Sequence, residues 1–154
     1  MSSFLLRNFI NFYLPLLAAG IRVTHMARDF RRTDVKMVLR FYNRNAVGTQ
    51  FGGSLYAMAD PFYMLMLMQI MGHDYLVWDK AAAIEFVAPG KGTVYASFII
   101  DDATMASIHE KTADGSAYFP EFNVDITDDN GAVIARVRKT LYVRKKPHLR
   151  PAAS

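Results

Sequence analysis

The sequence predicts an α+β fold: one long central helix wrapped by a single curved antiparallel sheet of about six strands, with an extra helix at the N-terminus. Three observations carry this. Pro61 to Gly72 (PFYMLMLMQIMG) is apolar all round except for Gln69, the pattern of a core helix. Its twelve residues are too few to cross a bilayer. Segments that alternate with a period of two flank it, two before and four after. No repeat, low-complexity tract or linker divides the 154 residues, so one core serves the whole chain. A helix that is apolar all round must be covered on more than one side, which a curved sheet does, helped by a second subunit.

The elements follow in order. Phe4 to Ile21 is an amphipathic helix with Leu5, Phe9, Phe12, Tyr13 and Leu16 on one face and Arg7, Asn8 and Asn11 on the other. Those polar residues and Pro15 disqualify it as a membrane span, and Asn11 behind a single basic residue argues against a signal peptide. Its expected fate is packing on the domain. Resting on a membrane surface is the less favoured alternative, because interfacial helices are usually rich in Lys and Arg. Residues 1–20 therefore form an N-terminal helix, 21–146 a single domain, and 147–154 a tail. Ile21, Val23 and His25 alternate with polar neighbours, as do Val35, Met37, Leu39 and Phe41, which predicts two strands joined by a turn around Arg31 to Asp34. Asn43 to Gly53 is a loop. The core helix runs to Met71, with Gly72 placed to end it. Strands are then predicted at Lys80 to Val87, Thr93 to Asp101, Tyr118 to Thr127 and Ala132 to Arg144. A short helix at Thr104 to Ala113 interrupts them. The last strand carries Val133, Ala135, Val137, Lys139, Leu141 and Val143 on one side.

Several chemistries are excluded. There is no cysteine, hence no disulfide, thiol nucleophile or Cys-ligated metal. The four histidines, His25, His73, His109 and His148, have no metal-ligand spacing, so no metal site is expected. Ser54 follows two glycines, but Tyr56 stands where a nucleophile elbow needs glycine, so Ser54 is expected to cap a helix rather than attack. Eighteen Lys and Arg against fourteen Asp and Glu give +4, but the basic residues are dispersed along strands and no recognition motif accompanies them. Nucleic acid is thus not an expected partner; a phosphate-bearing small molecule is. The expected compartment is cytoplasmic.

The informative segment is Asn45 to Asp60, NAVGTQFGGSLYAMAD. Gly52 and Gly53 precede a helix, whose first N–H groups are unpaired and carry the positive end of its dipole. Glycine lets a ligand approach that backbone. Asp60 falls seven residues after Gly53, two turns along the same face. An acid among apolar residues is costly to bury, and a function would explain it. A second reading makes Asp60 the N-cap of a helix that begins at Pro61; Leu55 to Ala59 favours helix before the proline, which would make Pro61 a kink instead. The methionines at 58, 64, 66, 68 and 71 either fill the core or line an adaptable acyl pocket. Asp79 and Lys80 are a candidate ion pair at a subunit boundary.

FGGSLYAMAD resembles the helix motif of the hotdog-fold acyl-CoA thioesterases of the phenylacetyl-CoA type. That motif has an Asn, then HGG, then an Asp seven residues after the second glycine. Asn45, Gly52, Gly53 and Asp60 match it, and the longer run to VWDKAAAIEFVAPGKGTV is similar to an uncharacterised branch of that superfamily labelled a domain of unknown function. The resemblance implies a hotdog fold, a homodimer or homotetramer, and an acyl thioester bound between subunits, with coenzyme A entering only as part of the substrate and no separate cofactor. It implies that the Gly53 N–H polarises the thioester carbonyl, that Asp60 of a neighbouring subunit is general base or nucleophile, and that Asn45 positions the thioester or the water. Phe51, Gly52, Ser54 and Met64 would contact substrate, and Arg144, Lys145 and Lys146 would meet the coenzyme A phosphates. Phe51 departs from the motif: it stands in place of His and cannot donate a hydrogen bond. The alternative is therefore a non-catalytic acyl or lipid binder on the same fold.

Overall fold

The structure, a computed structural model, describes residues 1–149. The last five residues of the expected tail lie outside the described residues. Among those described, six strands form one antiparallel sheet in the order β1-β2-β4-β5-β6-β3. These are β1 (Ile21–Met26), β2 (Arg32–Met37), β3 (Tyr75–Phe86), β4 (Val94–Ile99), β5 (Glu121–Asp128) and β6 (Val133–Lys145). Strands β4, β5 and β6 alternate buried and exposed side chains, so one face of the sheet is committed to the core. Against that face lie α3 (Gly52–Ala59) and α4 (Phe62–Met71), the predicted central helix. Phe62, Met66 and Leu67 of α4 are buried, and the Phe62 and Phe98 rings meet at 4.9 Å. Tyr63 stacks on Phe122 at 4.4 Å and donates its hydroxyl to the Asn123 carbonyl. Another helix, α5 (Asp102–Lys111), is N-capped by the Asp101 side chain.

Strands β1, β2 and β3 each depart from expectation. The β1–β2 turn lies at residues 27–31, not at Arg31 to Asp34: Ala27 N donates to the Arg32 carbonyl, and Phe30 takes a positive φ of 60°. β2 therefore starts at Arg32 and ends at Met37, and Phe41, expected to be inward, is exposed. A bulge between Val23 and His25 shifts the phase of β1, so Met26 rather than His25 is buried. β3 is longer than expected because it begins at Tyr75.

The N-terminal segment also differs. Pro15 divides it into α1 (Ser3–Phe12) and α2 (Leu14–Ala19), with Pro15 in the first turn of α2, where it needs no hydrogen-bond partner. The face of α1 that packs carries Ser3, Leu6 and Ile10. Of the expected packing face only Leu16 is buried; Leu5, Phe9, Phe12 and Tyr13 are exposed. Two apolar stripes run along this helix, and periodicity alone does not say which one meets the sheet.

Candidate active site

The central helix breaks where the two sequence readings of Asp60 competed. Pro61 has no N–H, so the regular bond back to Ala57 is missing, and Asp60 N makes only a long 3.4 Å bond to the Ala57 carbonyl. Asp60 closes α3 with helical backbone angles, and α4 starts without any side-chain cap. Pro61 is thus a kink and Asp60 is not an N-cap. Its carboxylate turns to the sheet instead. Oδ1 accepts from the Tyr56 hydroxyl at 3.1 Å and from Lys139 Nζ at 2.9 Å. Both bonds fall on Oδ1, and Oδ2 has no partner among the described residues. The side chain is 46% exposed, so the carboxylate at the kink is open to solvent.

Lys139 stands on the apolar side of the closing strand, between Val137 and Leu141. Its side chain is fully buried. The ammonium bridges two carboxylates, Asp60 at 2.9 Å and Asp79 at 3.0 Å, and lies 5.7 Å from the Tyr56 ring centre. Asp79 pairs with Lys139, not with Lys80. The bulge between Asp79 and Ala81 is the local reason. It puts one extra residue into β3, so that Val77 and Asp79 face inward while Lys80 is exposed, its ammonium 3.6 Å from the centre of the Phe119 ring. Trp78, also outward, stacks on Tyr142 at 3.9 Å. Burial pushes the Asp79 carboxyl above its ordinary pKa, against the pull of Lys139. For Lys139, burial opposes the charge, but the two carboxylates together outweigh it and hold its pKa above the usual value. Burial also raises the Tyr56 phenol, with Lys139 opposing and Asp60 adding to the rise.

Tyr63 and Lys139 set an alkaline stability limit. Burial pushes Tyr63 to about 12, against 10.0 in the unfolded chain, and Lys139 is raised from 10.5. A raised folded pKa contributes stability that is complete below the unfolded value and is lost as pH rises through the folded one. Thermal melts are therefore expected to hold steady from neutrality to about pH 10 and to fall between about pH 10 and 12. In Tyr63→Phe that alkaline fall should shrink. A wild-type decline already complete by pH 9 would contradict the assignment.

The N-terminus of α3 holds the other residues of the sequence motif. Phe51 is its N-cap residue and has no side-chain cap bond; Ser54 lies inside the first turn and is not the cap. Ser54 N and Leu55 N both donate to the Phe51 carbonyl, whereas among the described residues no backbone bond uses the N–H of Gly52 or Gly53. Neither glycine has a positive φ, so the backbone does not require glycine here. What glycine provides is a bare main chain. A Cβ on Gly52 would meet the Phe86 ring at 3.1 Å, and one on Gly53 would meet the Phe51 ring at 2.5 Å. Phe51 is 54% exposed, so its ring lies over Gly53 and is free to swing away.

Clefts flank this helix end. One, of about 320 Å³, is lined by Asn45, Gln50, Gly52, Leu55, Phe86 and Pro89 among others. A second, of about 250 Å³, includes Tyr42, Arg44, Phe51 and Ser54. Asn45 faces the first cleft, but its amide works inside its own loop. It donates to Thr49 Oγ1 at 2.9 Å and to the Gln50 carbonyl, and accepts from Val47 N and Thr49 N. It holds the loop that delivers Phe51 and the glycines. Met64 is half-buried one turn beyond Asp60, while Met58, Met66 and Met71 fill the core. Arg144 donates to the Gly115 carbonyl at 2.8 Å and Lys145 to the Ala113 carbonyl at 3.2 Å. Lys146 lines a separate cleft with His73 and Trp78.

A kinked central helix packed against a six-stranded antiparallel sheet is the architecture of a hotdog fold. The family described as a domain of unknown function, DUF4442, matches residues 3–143, and the chain belongs to it. Among solved structures, a Pseudomonas aeruginosa protein of unknown function, described as a probable thioesterase, superposes with a TM-score of 0.82 at 16% identity, over 95% of this chain and 97% of that one. A Chlorobaculum tepidum protein of unknown function gives 0.74 at 17% identity, covering 94% of each chain. A Haemophilus influenzae thioesterase gives 0.69 at 13% identity, covering 100% of this chain and 96% of that one. At these identities the likeness establishes the fold. No curated protein matches the sequence.

Proposed function

We propose that the protein hydrolyses an acyl thioester, acyl-CoA or a related conjugate, at a site shared by two subunits. The observation that carries this reading is the Asp60 carboxylate, fixed through Oδ1 by Lys139 and Tyr56 and left open at Oδ2. A base needs both properties: a rigid orientation and an oxygen free to take a proton. Asp60 Oδ2 accepts a proton from water as that water attacks the carbonyl carbon. The thioester oxygen, gaining charge, is held by the unpaired N–H at the start of α3, where the dipole is positive. The C–S bond then breaks and the thiolate leaves with the proton that Asp60 took. The same carboxylate oxygen is also geometrically open to direct attack on the carbonyl, the nucleophilic route.

One chain does not complete this arrangement. Gly53 and Asp60 are seven residues apart, about 10 Å along a helix at about 1.5 Å per residue. A carbonyl held on one and attacked by a water on the other needs the two groups within about 7 Å. Two copies, each offering its Gly53 to the other's Asp60, meet that requirement. The outer edge of β3 suits such pairing. It is twelve residues long, ends the sheet, and beyond its bulge exposes the small side chains of Ala81, Ala82 and Ala83. A dimer is thus the proposed unit, and the interface side of the acyl pocket includes Phe51, Gly52, Ser54 and Met64.

The test is release of free thiol from a panel of acyl-CoAs, with turnover expected for the wild type. Gly53→Ala sharpens it. Alanine is favoured over glycine in a helix by up to about 1 kcal/mol, so the variant should melt no lower than the wild type. Its methyl group obstructs the approach to the backbone, so turnover should fall about tenfold or more. Unchanged turnover would remove Gly53 from the site.

One observation favours a second reading, that of an acyl binder without turnover: the Phe51 ring covers Gly53. It requires saturable binding of acyl-CoA with no thiol release. Turnover at an enzymatic rate eliminates it.

A further inference from the structure

The N-terminal helices carry a surface that the proposed site does not use. Leu5, Phe9 and Phe12 follow one another at helical spacing on α1 and are 58%, 66% and 77% exposed. Phe4, Tyr13 and Leu14 are also more than half exposed, and Phe9 stacks on Tyr13 at 6.5 Å. This face is held outward. Asn11 grips the edge of β1 through both ends of its amide, donating to the Val23 carbonyl at 3.1 Å and accepting from Val23 N at 2.8 Å. Arg22 adds a bond to the Asn11 carbonyl at 2.6 Å. With Leu6 and Ile10 buried beneath, the helix does not roll to hide its aromatic stripe.

Residues 1–28, which carry this face, hold Arg7, Arg22 and Arg28 and no acid. Arg7 lies 5.4 Å from the Phe4 ring centre, and both line a cleft with His25 and Arg28. Aromatic and leucine side chains beside guanidinium groups suit the boundary between acyl chains and headgroups, where the rings bury and the cations meet phosphate. A second copy on the same face would bring this cationic region against itself, which like-charge repulsion opposes.

We propose that α1 and α2 dock on an anionic membrane surface, with Leu5, Phe9, Phe12 and Leu14 among the acyl chains and Arg7 and Arg28 at the lipid phosphates. The proposal is independent of the thioesterase reading, since none of these residues belongs to that site. The full chain is sedimented with vesicles of phosphatidylcholine alone and of phosphatidylcholine with a quarter phosphatidylglycerol, at low and high salt. Binding to the anionic vesicles is expected, with loss at high salt. Phe9→Ser with Phe12→Ser should weaken it about tenfold or more at unchanged circular dichroism, since both side chains are already in water. Should that pair fail to fold, a Phe9→Trp probe gives the same answer, its fluorescence being quenched by brominated lipid when the face is buried. Absence of binding to either vesicle, equal binding by the serine variant, or an unquenched probe overturns the proposal. So does a fall in oligomer mass in the serine variant without vesicle binding, which would assign the face to a second copy.

Discussion

Asp60→Asn should abolish thioester turnover while leaving the fold intact. The asparagine oxygen still accepts from Tyr56, and the buried Lys139 ammonium keeps Asp79 at 3.0 Å, so no buried charge is stranded. Stability should therefore change little, and the melting temperature should stay within a few degrees of wild type. What is lost is the ability of the free oxygen to take a proton. General-base catalysis contributes roughly a hundredfold to ten-thousandfold, and the rate of thiol release should fall by about that amount. Retained turnover in a variant that melts normally would remove Asp60 from the chemistry.

Lys139→Met should do the reverse, damaging stability first. Methionine fills a similar volume but withdraws the cation that bridges two carboxylates. Removing one partner of a buried ion pair costs about 3–5 kcal/mol, and the partial exposure of Asp79 and Asp60 places the expected loss at the lower end. For a chain of this size about 3 kcal/mol corresponds to roughly 6–12 °C in melting temperature. Adding Asp79→Asn should recover part of the loss, because the less exposed of the two unpaired charges is gone. Turnover should fall as well, since Asp60 Oδ1 loses the bond that orients it. The measurement is thermal melting of the single and double variants beside thiol release. A single variant as stable as the wild type would mean that the three-residue cluster does not hold the sheet to the central helix.

Part of this arrangement was legible in the sequence. The element order, the apolar core helix and its end at Gly72 follow from local periodicity and a single backbone preference. The spacing of Gly52, Gly53 and Asp60 is visible because all three lie on one helix. Phe51 was visible as a departure, though not that its ring would cover the adjacent glycine. Lys139 could be placed on the inward face of β6 by counting alternate residues. Its partners could not be found that way. Asp60 is 79 positions away, and Asp79 reaches the ammonium only because a bulge adds a residue to β3. The choice between the two apolar stripes of α1 was hidden for a related reason. Leu6 and Ile10 win the sheet because the Asn11 clamp on Val23 fixes the rotation of the helix, and that clamp joins two segments across a turn.

The central claim is that each active site takes its base from one subunit and its backbone donor from another. Mixing two inactive variants tests it. Asp60→Asn lacks the base, and Gly53→Val blocks the donor. Subunit exchange at equal amounts should give half mixed dimers, each with one intact site of two, and so restore about a quarter of wild-type turnover. If each variant alone is inactive and dimeric, and the exchanged mixture stays inactive, the shared site is contradicted.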